Sequence, residues 1–424
     1  MKTLLKNLTI VPMTAYGHTL QGDILIDGRD IAAVGGDIDS RLADEVRDCT
    51  GLIAIPGLVN AHTHLSMTYM RNYKDTCSNL QDWLSEIFPI EDRMDDEEIY
   101  WGSMLGLVEL VRSGCTSFAD MYFHQWETAK ACKEAGVRGF ISLTLFGDED
   151  ETLDRLANTR LDSELDGDLL RKDIAVHAIY TCTGGTYRQS VNWAKEHNAV
   201  VTTHLSETKK EVDDCLREHG TTPALYLDSL GFFDVPCYVA HGVWLTDEEA
   251  RLLASKHVGL VHNPSSNCKL ASGIAPVSRF RKLGLTVGLG TDGASSNNNL
   301  SMVKEMRLAS MISSASTLDV AALRPYDVLS MATIESARCL RADDIIGSLE
   351  AGKRADITLI DPRSANMTPV NDLFSAIVFS MGENNIHSVY INGRCVMDAG
   401  VLTTIDEELV RHEALRCWER LRQE

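Results

Sequence analysis

His62-Thr63-His64 is the first place in the chain where residue type and spacing could do chemistry. Side chains alternate along a strand, so the two imidazoles point the same way and offer half of a zinc site. Further along, three apolar runs carry polar groups of the same kind at or near their ends: Thr203-His204-Leu205-Ser206-Glu207, Ala240-His241 and Gly290-Thr291-Asp292-Gly293. Imidazoles and carboxylates together can hold a divalent ion, activate water and move protons. Four such groups at four run ends point to one site, because packing gives no reason for them to recur there. The 11 cysteines contain no Cys-x-x-Cys pair, so neither a thiolate zinc site nor a disulfide framework is indicated.

Elements that could bring these groups together are visible in the same stretch. Eight apolar runs read as strands: Gly57–His64, Thr116–Tyr122, Gly139–Phe146, Asp173–Tyr180, Val200–Glu207, Cys237–Trp244, Val258–Pro264 and Thr286–Gly293. Helical periodicity fills several gaps. Asp95 can cap a helix whose Tyr100, Met104, Leu107, Val108 and Val111 share one face, and Gly114 ends it. Strands alternating with helices predict a parallel sheet, and eight units predict an α/β fold closed into a (β/α)8 TIM-type barrel over residues 56–349. Such barrels draw their catalytic groups from the C-terminal ends of several strands.

The two ends of the chain read as short strands with hairpin turns at Asp27-Gly28 and Asn392-Gly393. Neither end holds enough strands for its own core, so residues 1–55 and 350–400 are expected to pair into one small discontinuous β-sandwich domain. Residues 401–424 follow it, with an amphipathic helix over Ile405 to Leu421.

Composition narrows the partners. With 424 residues, 44% hydrophobic and 24% charged, the chain has the make-up of an ordinary globular protein. A formal net charge of -21 repels phosphate backbones and anionic membranes, so neither nucleic acid nor a membrane is an expected partner. No apolar run reaches the roughly 18–20 residues that span a bilayer. The start, with Lys2 and Lys6 and no sustained apolar stretch, does not read as a signal peptide, and a cytoplasmic location is expected.

Taken together, Pro56-Gly57-Leu58-Val59-Asn60-Ala61-His62-Thr63-His64, the later His204 and His241, Asn263-Pro264-Ser265-Ser266-Asn267, Thr291-Asp292-Gly293-Ala294 and the divided β domain resemble the amidohydrolase superfamily. Within it the chain looks like the branch of methylthioadenosine/S-adenosylhomocysteine deaminases and triazine hydrolases. The resemblance implies that His62, His64, His204 and Asp292 hold a metal, with Glu207 and His241 as acid–base and water-positioning groups. Two-metal relatives bridge their ions with a carboxylated lysine at the end of strand four; Asp173–Tyr180 contains none, so one divalent ion is expected. Three imidazoles and a carboxylate suit Zn²⁺, and Fe²⁺ fits the same donors.

The implied chemistry is hydrolytic removal of an amino group from an N-heterocycle. A divalent ion lowers the pKa of water from 15.7 to about 7. His241 would orient that water and Asp292 would take its proton, relaying one to the departing ammonia. Glu207 would protonate the ring nitrogen, a task that a dry pocket favours by raising its pKa. The expected substrate is a 5′-substituted adenosine or adenosine itself. The alternative is deaminase or chlorohydrolase action on guanine, a pterin or an s-triazine. A homo-oligomer is expected by the same resemblance.

For the substrate pocket, the segment Asn72 to Glu91 reads as a lid or wall. Trp83 and Glu91 match residues that contact the sugar end in nucleoside-deaminating relatives, and a carboxylate can accept from two ribose hydroxyls. Leu143 stands where relatives that bind S-adenosylhomocysteine carry an arginine, which argues against an anionic tail. Thr181 is placed where those relatives have the histidine of a Pro-His-Ser-Pro-Tyr pattern. His124 and His177 carry no assignment, and His177 stands outside the expected site.

Overall fold

The computed structural model describes residues 1–157, 160–161 and 167–423. Its centre is a sheet of eight parallel strands in sequence order: β1 (Leu58–Thr63), β2 (Cys115–Tyr122), β3 (Arg138–Leu145), β4 (Leu170–Val176), β5 (Val201–Leu205), β6 (Cys237–His241), β7 (Gly259–His262) and β8 (Val287–Leu289). Nearly every residue of these strands is buried, as expected for strands covered on both faces. That is why they read as continuous apolar runs rather than as alternating ones.

The seam between β8 and β1 is closed by other means than a ladder. Asp292 donates its N–H to the His62 carbonyl at 3.0 Å, Thr291 donates its N–H to the Asn60 side chain at 3.0 Å, and Asn60 donates to the Thr291 hydroxyl at 2.7 Å. Gly290 permits this approach, since a Cβ there would meet the His62 backbone at 2.8 Å. The barrel therefore closes at the point where two of the polar run ends meet.

Helices cover the outside. Asp95 caps the helix Asp96–Arg112 in a reciprocal capping box with Glu98, and Gly114 leaves it at φ +80°. The lid segment contains the helix Leu80–Glu91, capped by Asn79. The helix Glu407–Gln423 follows the small domain. Its Ala414, Cys417 and Leu421 share an apolar cluster with Met67, Trp83, Ile87 and Ile90, so the end of the chain backs the lid.

The two ends of the chain pair with each other, in one mixed sheet of nine strands. Ile53–Pro56 from the first part pairs antiparallel with Ile357–Ile360 from the last, and parallel with Lys2–Ile10. The sheet is continuous and packs around a core of its own that includes Leu5, Leu8, Ile24, Ile26, Ile357 and Tyr390. Among the described residues, no helix is long and apolar enough to cross a membrane.

Several strands stop short of the predicted runs. β4 ends at Val176 rather than Tyr180, β5 at Leu205 rather than Glu207, and β8 at Leu289 rather than Gly293. Ser206, His241 and Asp292 adopt left-handed backbone (φ +49°, +74° and +61°), which turns the chain out of the sheet there. Non-glycine residues held in this region are costly and cluster at functional sites.

Candidate active site

Four imidazoles and one carboxylate meet at the C-terminal mouth of the barrel. The His204 Nε2 and His62 Nε2 atoms are 3.2 Å apart, and Asp292 Oδ1 lies 3.5 Å from His62 Nε2 and 3.1 Å from His64 Nε2. One ligand atom each from His62, His204, His241 and Asp292 falls within a 4.8 Å cluster. The rings are turned by their other nitrogens. Nδ1 of His64 meets the Met121 carbonyl at 2.5 Å and Nδ1 of His204 meets the His177 carbonyl at 2.8 Å. A carbonyl can only accept, so both rings carry a proton on Nδ1 and turn Nε2 to the centre.

Asp292 is oriented from behind. Its Oδ2 accepts from Ser266 at 2.5 Å and from Ser296 at 2.8 Å, leaving Oδ1 to face the imidazoles. His241 is held by Asn267, whose Oδ1 is 2.8 Å from the ring Nδ1. Glu207 lies beside it, with Oε2 at 3.8 Å from His241 Nε2 and Oε1 accepting from the Ser272 hydroxyl at 3.3 Å. Burial pushes the Glu207 carboxyl above its ordinary value.

This donor set fits a divalent ion. Imidazoles and a carboxylate are borderline N/O ligands, His62, His204, His241 and Asp292 are buried, and the partners of His64, His204 and Asp292 match the outer contacts that hold metal ligands elsewhere. Of the expected ligands, His62, His204 and Asp292 fall within this 4.8 Å cluster and His241 completes it, while His64 reaches it from the side through Asp292 Oδ1 at 3.1 Å. No lysine reaches the group from β4 among the described residues.

The cluster opens into a cavity of ≈ 570 Å³ that includes its solvent-facing part. His64, His204, Glu207, His241 and Asp292 line it together with Trp83 and Glu91 from the lid helix. Glu91 accepts from the Tyr122 hydroxyl at 2.6 Å, and burial pushes its carboxyl up to about 7. The Trp83 indole N–H is buried with no hydrogen-bond partner among the described residues. A run of rings borders the same space: Phe123 stacks on Phe146 (5.3 Å between centroids), and Phe146 on His177 (4.6 Å). Its formal charges are those of Glu91, Glu207 and Asp292, with no lysine or arginine in the described lining.

The model of the Amidohydrolase family matches residues 53–396, which take in the barrel and every residue of this site. The chain belongs to the amidohydrolase family. It is a hydrolase. Over 421 residues it is 39% identical to a 5-methylthioadenosine/S-adenosylhomocysteine deaminase of Thermoanaerobacter pseudethanolicus, covering 97% of both chains. A 5′-deoxyadenosine deaminase of Methanobrevibacter smithii is also 39% identical, over 413 residues, covering 95% of this chain and 94% of its own. Among solved structures, a zinc-bound adenosine deaminase from Xanthomonas campestris superposes with a TM-score of 0.95 at 30% identity, covering 100% of this chain and 99% of that one.

Two positions of this amidohydrolase stand differently from their sequence assignment. Thr181 does not line the cavity; His177 does. The Thr181 hydroxyl instead lies 2.8 Å from His177 Nδ1 and donates to the Ala178 carbonyl at 3.2 Å. His177 and Tyr180 are three apart, as the histidine and tyrosine are in Pro-His-Ser-Pro-Tyr, and that spacing was the available signal for His177. On β3, strand parity turns Leu143 outward into the helix-facing core, while Thr144 and Phe146 line the cavity. None of the three carries a charge, and the strand's one arginine, Arg138, is at its other end, paired with Asp356. His124 lies outside the cavity, with Nδ1 at 2.6 Å from Asp96.

Proposed function

We propose that this amidohydrolase is a mononuclear, zinc-dependent aminohydrolase acting on adenosine-like nucleosides with a small, uncharged 5′ group. The observation that carries the reading is the placing of Glu207, His241 and Asp292 around one donor cluster, in a cavity whose other wall offers Trp83 and Glu91. The names of the similar deaminases support the same class of substrate. Zn²⁺ and Fe²⁺ both suit the donors, and the zinc-bound neighbour favours zinc.

His62, His64, His204 and Asp292 would hold the ion, whose Lewis acidity brings the pKa of water to about 7. The protein's own groups do the rest. His241 donates from Nδ1 to Asn267, so its Nε2 accepts a hydrogen bond from the attacking water and aims the oxygen at the ring carbon. Asp292 takes the proton that the water gives up. Glu207, whose carboxyl burial pushes above its ordinary value, donates its proton to the ring nitrogen as the C=N bond is attacked. The proton on Asp292 then passes to the amino group, which departs as ammonia, while the proton of the added hydroxyl returns to Glu207 and the ring keeps the oxygen as a carbonyl. Trp83 N–H and the Glu91 carboxylate are suited to a ribose, since one can donate and the other can accept from two hydroxyls. The rings of Phe123 and Phe146 and the absence of a described cation suit an apolar or absent 5′ substituent better than a carboxylate.

Ammonia release by the zinc-loaded protein over a panel of nucleosides, free bases, pterins and triazines tests this. Turnover of adenosine, 5′-deoxyadenosine or 5′-methylthioadenosine, well above that of S-adenosylhomocysteine, supports the reading. Turnover of a free base or triazine with none of any nucleoside overturns it.

A further inference from the structure

Close behind the site, one buried carboxylate has both oxygens committed to the main chain. Glu211, in the first turn of the helix Lys209–His219, accepts from the Ser206 N–H and from the Glu207 N–H, each at 2.8 Å. It is 3% exposed and does not line the cavity. Thr208 caps this helix and accepts from the Glu211 N–H at 3.2 Å. In a capping box the glutamate three residues after the cap reaches back to the cap's own N–H. Here it reaches past Thr208 to the two residues before it.

Those two residues need holding. Ser206 has φ +49°, and its carbonyl accepts from the Trp244 N–H at 2.9 Å. A non-glycine residue stays in left-handed backbone only where its surroundings over-determine it. Glu211 grips the N–H of Ser206 and Trp244 its carbonyl, so the turn that ends β5 is fixed from both sides. The next residue in that turn is Glu207, whose carboxyl stands 3.8 Å from His241.

We propose that Glu211 is a positioning residue for Glu207, holding the Ser206 and Glu207 amides so that the Glu207 carboxyl is presented to the cavity beside His241. This rests on the reading of Glu207 as the proton donor. An ordinary helix cap would affect stability alone; a positioning residue affects the chemical step with substrate binding preserved.

The zinc-loaded Glu211→Gln and Glu211→Ala variants test it, alongside Glu207→Gln and the Glu207→Gln/Glu211→Gln double variant. Glutamine can accept only one of the two N–H groups. Glu211→Gln is expected to lose about 10- to 100-fold in kcat, part of what a general acid supplies, with KM and bound zinc unchanged and a thermal midpoint above the assay temperature. The double variant should be no slower than Glu207→Gln, because two residues that act as one step are not additive. A Glu211→Gln protein with kcat within about twofold of the parent, or losses that multiply in the double variant, overturns the proposal. Should Glu211→Ala not fold, Glu211→Gln and the double variant still decide. If Glu207→Gln itself keeps full turnover, the assignment of Glu207 falls, and the positioning role with it. If Glu207→Gln fails while Glu211→Gln is unaffected, only the role of Glu211 falls.

Discussion

Tyr122 donates its hydroxyl to the Glu91 carboxylate across 2.6 Å, tying the lid helix to the end of β2 at the cavity wall. The bond favours the ionised acid, yet burial outweighs it and the carboxyl is pushed up to about 7 from 4.5. Glu91 is thus costly to keep charged in the place where a charged acceptor is useful to a ribose.

The consequence for binding follows from which form accepts hydrogen bonds. Above about pH 7 Glu91 is ionised and can accept from two hydroxyls; below that value it loses acceptor capacity. Affinity for a non-reacting nucleoside analogue should therefore weaken as pH falls through 7. In Glu91→Gln the affinity should be flat over that range and about 10-fold weaker at pH 8, the scale of a lost hydrogen bond to a charged group. A pH-independent affinity in the parent protein would remove Glu91 from the sugar site.

Stability should move in the opposite sense. A carboxyl whose pKa is higher in the folded protein binds its proton more tightly there, so its effect on stability is most favourable below 4.5 and fades as pH rises to about 7. Glu91→Gln, which cannot ionise, should match the parent near pH 4.5 and exceed it at pH 8 by up to about 3 kcal/mol. Denaturant titrations at the two pH values check this, and a variant less stable at pH 8 contradicts it.

Thr181 acts on the cavity through His177. Burial pushes the His177 pKa down to about 3, so the ring is neutral, and the Thr181 hydroxyl at 2.8 Å selects which nitrogen carries the proton. Thr181→Val keeps the shape and removes that choice. It should raise KM for the nucleoside about 5- to 10-fold, the worth of one neutral hydrogen bond, while leaving kcat and zinc content nearly unchanged. A change confined to kcat would mean that His177 takes part in the chemical step instead.

The polar groups that converge at the barrel mouth were legible in the sequence because polar letters interrupted runs that are otherwise apolar, and strand ends of a barrel converge. His62, His64, His204, His241 and Asp292 need nothing else to be found. Beyond the strand ends the period of two no longer applies. β4 leaves the sheet at Val176 and the four residues from His177 to Tyr180 follow loop geometry, so matching the Pro-His-Ser-Pro-Tyr pattern at Thr181 fell on a residue outside the cavity that His177 lines. On β3 the alignment fell on Leu143, which faces the core, beside Thr144, which lines the cavity; one residue exchanges the two faces. The lid helix Leu80–Glu91 carries Pro89 inside it, which hides it from a helix pattern. Glu211 had no signal of its own, since Thr208 and Glu211 spell a common capping pattern.

The two serines behind Asp292 separate holding the ion from orienting the ligand. Asp292→Ala removes the carboxylate and should abolish both zinc retention and turnover. Ser266→Ala with Ser296→Ala leaves the carboxylate but strips Oδ2 of the hydroxyls at 2.5 and 2.8 Å. Loss of outer partners of this kind costs metal affinity or activity about 10- to 100-fold. The double variant should therefore lose zinc to a competing chelator at a correspondingly lower concentration, and should regain part of its turnover when excess zinc is supplied. Turnover that stays low at saturating zinc would assign the two hydroxyls to proton handling by Asp292 rather than to metal retention. Parent-like zinc retention together with parent-like turnover would show that β8 and the His62 backbone orient Asp292 without them.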